Sequence, residues 1–191
     1  MQTDQKSERG ESVLNIENIV RKIDPIDDIE RQHINETLSW IQSGVPIFRL
    51  QKPDIPNKHL VSYFVPFDEK ENKILLTAHK KSGLWLPPGG HVELNEDPRE
   101  TVRRECLEEL GCPAEFWRTE PLFLTSTLTV GPTAGHTDVS FWYVIQGQQE
   151  DAYQFNTDEF EVIRWFGFNE IPYEISDPHM RRFLKKLSMK S

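Results

Sequence analysis

Stretches in which apolar residues return every three or four positions alternate, along this chain, with short runs that are almost continuously apolar. Ile29, Ile34, Leu38 and Ile41 follow near-helical spacing, so Asp27–Ser43 is predicted to be a helix stopped by Gly44. Residues 1–12 are polar and mixed in charge and read as a frayed tail. After the helix, Ile47–Leu50 reads as a short extended stretch, and Lys52–Lys58, which holds two prolines, as a loop. His59–Phe67 and Lys73–His79 read as strands on either side of the charged turn DEKEN. Trp85–Pro88 leads into a glycine-rich turn, and further strands are predicted at Leu122–Val130, Val139–Ile145 and Val162–Phe168. Asp177–Leu187 reads as a closing helix with Asp177 as N-cap and Pro178 at its first position. No internal repeat is present. Helices and hairpin-like strands are interleaved without a regular strand–helix–strand series, so the expected class is α+β with a mixed sheet.

The best-marked helix lies at 98–110. Asp97 can cap it, Pro98 suits its first turn, Glu100 stands three residues after Asp97 as in a capping box, and Gly111 with Pro113 ends it. At 100° per residue, Glu105, Glu108 and Glu109 fall within one arc of about 100°. Val102, Cys106 and Leu110 form the adjoining apolar stripe, which is expected to face the core, with Cys106 a small core residue rather than a nucleophile. Like charges at these spacings cost an isolated helix roughly 0.2–0.5 kcal/mol per pair, and partial burial makes the repulsion worse. Such an arrangement calls for a counter-cation. Oxygen ligands without Cys or His suit Mg²⁺, with Mn²⁺ as a substitute. Arg104 is placed to lock one carboxylate, and the glycines of Pro87-Pro88-Gly89-Gly90 allow a backbone carbonyl to approach the same ion.

Composition narrows the partners. The 191 residues carry 22 Lys+Arg against 31 Asp+Glu, a net charge of −9. That balance disfavours a nucleic-acid polymer, whose binding rests on many Lys/Arg–phosphate contacts, but not a small polyanion neutralised by a metal. At 37% apolar and 28% charged, the chain can bury a core. Cys106 and Cys112 are its two cysteines, which indicates neither a disulfide framework nor a cysteine zinc site and fits a reducing cytoplasm. The start lacks the pattern of a signal peptide, and no run approaches the roughly 20 apolar residues of a membrane span. The expectation is a soluble, cytoplasmic protein without a membrane partner.

The stretch Gly90–Cys112 matches the pattern G-x5-E-x7-R-E-U-x-E-E-x-G-U, with U apolar, at Gly90, Glu96, Arg104, Glu105, Cys106, Glu108, Glu109, Gly111 and Cys112. It resembles the Nudix box of the MutT-like Nudix hydrolases, and flanking features extend the likeness over about residues 58–188. The resemblance implies an α/β/α sandwich with a loop–helix–loop motif, in a domain at 46–191 preceded by a tail and accessory helix at 1–45. It implies Glu105, Glu108, Glu109 and the Gly89 carbonyl as metal ligands, Arg104 as the residue that orients a glutamate, Glu96 as a brace of the loop, and Glu93 as a helper through water. Gly90 and Gly111 belong to the motif's frame. The implied chemistry is hydrolysis of a diphosphate bond in a nucleoside diphosphate linked to another group, or in a nucleoside triphosphate. A carboxylate removes the proton of the attacking water: a box residue, or Glu159, with Glu161 second, both just before Trp165.

His136 and Asp138, where a loop enters a strand, are candidate substrate contacts. Phe64, Trp85 and Trp142 are more readily core than base-stacking, and Arg99 and Arg103 face solvent more readily than phosphate. Two other functions are weighed. A non-catalytic, Nudix-like nucleotide-binding or sensor module would be favoured by loss of a box glutamate, and none is lost. Isoprenoid-diphosphate isomerase chemistry needs a cysteine outside the box, where this chain has none. The apolar side of the 27–43 helix is compatible with covering a sheet edge, shaping a pocket or forming a homodimer.

Overall fold

The computed structural model describes residues 2–52, 54–129 and 134–191, with side chains described from residue 10 onward. Helices α1 (Gln2–Arg21) and α2 (Asp28–Gln42) come first, followed by strands β1 (Lys58–Asp68), β2 (Lys73–His79), β3 (Leu84–Leu86) and β4 (Gly89–His91). Then come α3 (Pro98–Leu110), β5 (Phe123–Leu128), β6 (Thr137–Gln146), β7 (Phe160–Gly167), a 3₁₀ turn at Tyr173–Ile175 and α4 (Met180–Ser188). The sheet runs β3-β2-β1-β6-β5, with β4 also paired to β1 and β7 to β2. β1 and β6 are parallel along their whole length, while the other pairs are antiparallel, so the sheet is mixed as expected.

Alternation along the central strands sends side chains to two buried faces. Leu60 and Phe64 of β1 and Val139, Phe141, Tyr143 and Ile145 of β6 meet the apolar stripe of α3 and residues Ile16, Ile19, Val20, Ile34 and Ile41 of α1 and α2. Val65, Phe67, Trp142 and Val144 point the other way and pack on Met180, Phe183, Leu184 and Leu187 of α4. The result is the α/β/α sandwich. Phe64 and Trp142 are fully buried and belong to its core, and Trp85 packs edge-on against Phe166. No helix among the described residues is long and apolar enough to cross a membrane.

The observed elements depart from the expected ones at five places. Residues 2–12 are not a frayed tail but the first half of α1. Its apolar anchors, Ile16, Ile19 and Val20, lie at helical spacing in the second half, and their packing carries the polar half along. Ile47–Leu50 forms no strand. Ile47 and Phe48 are buried, Ile47 O accepts from Leu60 N–H (2.9 Å), and the chain turns back on itself at Leu50–Ile55 (Leu50 N–H to Ile55 O, 2.8 Å). The glycine-rich turn is partly strand, because Gly89–His91 pairs with Val61–Tyr63 of β1. The closing helix starts at Met180: Asp177 is occupied by a local turn, its Oδ1 accepting from His179 N–H (2.7 Å) and its carbonyl from Met180 N–H (3.0 Å). Finally, Asp97 caps α3 through Arg99 N–H (2.8 Å), but Glu100 pairs with Arg103 instead of completing a capping box. β5 ends at Leu128, and Val130, the expected end of that strand, lies outside the described residues.

Candidate active site

The box loop enters the sheet where β1 parts from β2. β1 pairs with β2 at Phe67 and Asp68, but at Val61–Tyr63 its partner is β4, and Phe64 N–H donates to Pro88 O (3.0 Å). Gly89 lies so close to β1 that a Cβ there would stand 2.2 Å from the Ser62 carbonyl oxygen, and its φ is +149°. A Cβ on Gly90 would meet Glu105 Oε1 at 1.9 Å. Glycine at both positions lets the acidic edge of α3 lie directly on the loop. Ser62 Oγ donates to Pro98 O (3.0 Å) and ties the start of the helix to the same strand.

Glu96 holds the loop together. It accepts from Glu93 N–H (2.9 Å), Thr101 Oγ (2.7 Å) and, through both oxygens, the Arg104 guanidinium (3.1 and 3.0 Å). Burial works against its charge, but Arg104 and the other donors hold its carboxyl below the usual range. Arg104 also donates to the His91 carbonyl (3.2 Å) and to Glu105 Oε1 (2.6 Å), so it spans loop and helix. Glu93 contributes its backbone to this brace.

Glu105 and Glu109 behave in the opposite way. Burial pushes Glu105 above the carboxylate range; Arg104 opposes the shift, while the negative charges of Glu108 and Glu159 add to it. Glu109, 3% exposed, stands well above its ordinary value through burial first and Glu105 next, with Gly89 N–H donating to its Oε2 (2.7 Å) in partial relief. Glu108 turns outward, its side chain 59% exposed and 3.9 Å from Arg104. Arg99 is spent on Asp97, and Arg103 on Glu100 and the face of Phe116, so neither is turned to the acidic edge.

The loop after β6 is fastened to the end of α3. Gln154 N–H donates to Leu110 O (3.1 Å) and Asn156 N–H to Glu109 O (2.9 Å), while Lys80 N–H takes Glu159 O (2.9 Å). Glu159 is thereby held, exposed, between α3 and the end of β2, and its charge reaches both Glu105 and Glu109. Glu161, also exposed, lies within β7. Cys106 is buried, and its thiol, 3.8 Å from Cys112 Sγ, is raised far beyond its usual range by burial, which leaves it inert as a nucleophile.

Glu105 and Glu109 fit a divalent cation: one partly buried and one buried carboxylate, raised first by burial and then by like charge, lie beside a glycine loop, with Arg104 as the close counter-ion of Glu105. His136 and Asp138 come together elsewhere. Both are at the start of β6, with His136 Nε2 3.3 Å from Asp138 Oδ1 and His136 stacked on the buried His59. Asp54, His59 and His91 complete a group around them that no short sequence spacing announces, because strand pairing brings the histidines together (His59 beside Asp138, Val61 beside His91) and Asp54 joins from outside the strands.

Comparisons with known proteins agree with this construction. A sequence profile of the NUDIX domain matches residues 58–187. The Nudix hydrolase YvcI of Bacillus subtilis (strain 168) is 28% identical over 123 residues, 62% of this chain and 75% of that protein. The m7GpppN-mRNA hydrolase NUDT17 of Xenopus laevis is 50% identical over 44 residues, which are 20% of this chain and only 15% of that protein's length. A solved UDP-X diphosphatase superposes with a TM-score of 0.53 at 15% identity, over 96% of this chain and 95% of that one, and so shares the fold. With the profile spanning most of the chain and the box intact on α3, this chain belongs to the Nudix hydrolase family.

Proposed function

We propose that the protein hydrolyses a diphosphate linkage in a small nucleoside diphosphate derivative, using Mg²⁺ or Mn²⁺ held by Glu105, Glu108, Glu109 and the Gly89 carbonyl. The observation that carries this is the pair of partly buried Glu105 and buried Glu109, set beside the glycine loop and both raised by burial and by neighbouring carboxylate charge. Ions bound there would neutralise the diphosphate and acidify a nucleophilic water. The chain's own residues do the rest. Arg104 and Glu96 fix the carboxylates of α3 relative to β4, so that the site is organised before substrate arrives. Gly89 lets the loop lie against β1, and Gly90 lets Glu105 lie against the loop. Glu159 sits on a tethered loop within electrostatic reach of the box and is the first candidate to accept the water's proton, Glu161 the second. His136 and Asp138 are engaged with each other and with His59, and the proposal gives them no direct substrate contact.

The substrates in the names of two similar proteins, m7GpppN-mRNA and UDP-X, share a nucleoside joined to a second moiety through a chain of phosphates. A panel of nucleotide sugars, dinucleoside polyphosphates, ADP-ribose, NADH, coenzyme A and nucleoside triphosphates, assayed with Mg²⁺ or Mn²⁺, identifies that moiety. Glu108→Gln and Glu109→Gln are expected to lower kcat at least about 10²-fold with the fold retained. Full activity in both variants removes the ligand assignment. Glu159→Gln is expected to lose about 10²-fold or more, and an unchanged rate passes the base to Glu161 or to a box carboxylate.

A further inference from the structure

We infer that the chain carries a second metal site, of transition-metal character and best suited to Zn²⁺, formed by Asp54, His59, His91 and His136. One ligand atom from each of these residues lies within 4.8 Å of those of the other three. They come from four places: the 51–57 turn, the start of β1, the end of β4 and the start of β6.

The argument rests on His59. Its ring is fully buried. Its Nδ1 is 2.8 Å from the Pro56 carbonyl oxygen, which can only accept, so Nδ1 carries a proton and Nε2 is the ring nitrogen left to face the other groups. That Nε2 points inward, 3.3 Å from Asp138 Oδ1, yet neither atom has a hydrogen-bond partner. His136 Nε2 approaches the same oxygen at 3.3 Å, and His136 Nδ1 is 3.5 Å from Asp54 Oδ2. These nitrogens and oxygens converge in a buried space, an arrangement that a bound metal ion would satisfy. Arg49, at the rim, reaches only His91 Nε2, at 3.4 Å, the outer limit of a hydrogen bond.

Three imidazoles and a carboxylate select a borderline cation over Mg²⁺. Tetrahedral Zn²⁺ with bonds of about 2.0–2.1 Å holds its ligands roughly 3.4 Å apart, so closure on the ion needs shifts of about an ångström. The Pro56 carbonyl, on Nδ1 of His59, then serves as the outer acceptor that orients that ring. With four protein ligands the site is closed and structural. It clips the 51–57 turn to β1, β4 and β6, and His91, whose carbonyl holds Arg104, links the clip to the box loop.

The test uses the untagged full-length protein, stripped with a chelator, exposed to excess Zn²⁺ and desalted, with zinc per chain measured by mass spectrometry. One zinc per chain is expected. Loading with Co²⁺ should give the intense visible bands of a tetrahedral nitrogen–oxygen site. His91→Gln and His136→Gln should each weaken Zn²⁺ binding at least tenfold, whereas Glu108→Gln and Glu109→Gln should bind as the parent does. Thermal unfolding covers variants that fold poorly: Zn²⁺ should raise the Tm of the stripped parent and leave that of the His91→Gln, His136→Gln double variant unmoved. The inference falls if the folded parent retains no zinc and its Tm ignores Zn²⁺. It falls too if the double variant retains zinc as well as the parent, or if Glu109→Gln, rather than the histidine variants, abolishes retention.

Discussion

Glu109 shows most clearly how function is written into a single residue at the expense of stability. Its carboxyl is buried and stands well above its ordinary range in the fold, for reasons of burial first and Glu105 second, whereas an unfolded chain ionises it normally. The folded protein therefore holds the proton longer than the unfolded one, and stability is lost as pH rises from the ordinary carboxylate range through the raised value. Glu109→Gln removes the charge and keeps an acceptor for Gly89 N–H. In chelator near neutral pH the variant should unfold several degrees higher than the parent, at about 2–4 °C per kcal/mol for a chain of this size. Towards about pH 4, where the parent's carboxyl is neutral as well, the two curves should converge. A variant less stable than the parent at neutral pH contradicts the picture of a strained carboxylate. The placement of Glu96, Arg104, Glu105 and Glu109 on one loop and one helix was legible from sequence because the box is local: caps, spacing and charge all lie within it. The outward turn of Glu108 was not, since three residues sharing an arc of a helix still differ in what covers them.

At the scale of elements, strands and caps with strong local signals were readable, including both ends of α3, the stop at Gly44 and the long central strands. Those that depend on distant partners were not. β4 exists only because glycine lets β1 approach, and α1 depends on a core built mainly by later residues. α2 shows how firmly the N-terminal helices are attached. Glu30, fully buried on α2, accepts from Lys186 Nζ of α4 (2.7 Å), Ile26 N–H (2.8 Å) and Leu124 N–H (3.2 Å), while Asp27 takes the Arg182 guanidinium. An unpartnered buried cation is costly. Glu30→Ala should destabilise the protein by about 3–5 kcal/mol in denaturant unfolding, and the paired change Glu30→Leu with Lys186→Met should recover most of that. A loss below about 1 kcal/mol would show that the two helices are not tied through this pair.

For the whole molecule, the net charge of −9 and the local surplus of carboxylate point the same way: under the proposed function, a polyanionic substrate would meet positive charge where a metal supplies it. The fold brings about that meeting by letting β1 leave β2, so that the glycine loop passes between sheet and helix, and by strapping the Glu159 loop to the end of α3. Pairing of β1 with β6 and β4 has a second consequence, the histidine cluster, which no motif in the sequence foretold because strand register brings His59, His91 and His136 together and Asp54 joins from outside the strands. The most direct test of the central claim is anomalous diffraction from a crystal of the full chain soaked with Mn²⁺ and a non-hydrolysable diphosphate ester. A manganese peak lodged between the carboxylates of Glu105 and Glu109 and the diphosphate oxygens is the predicted result. A bound diphosphate with no ion at those carboxylates would contradict it.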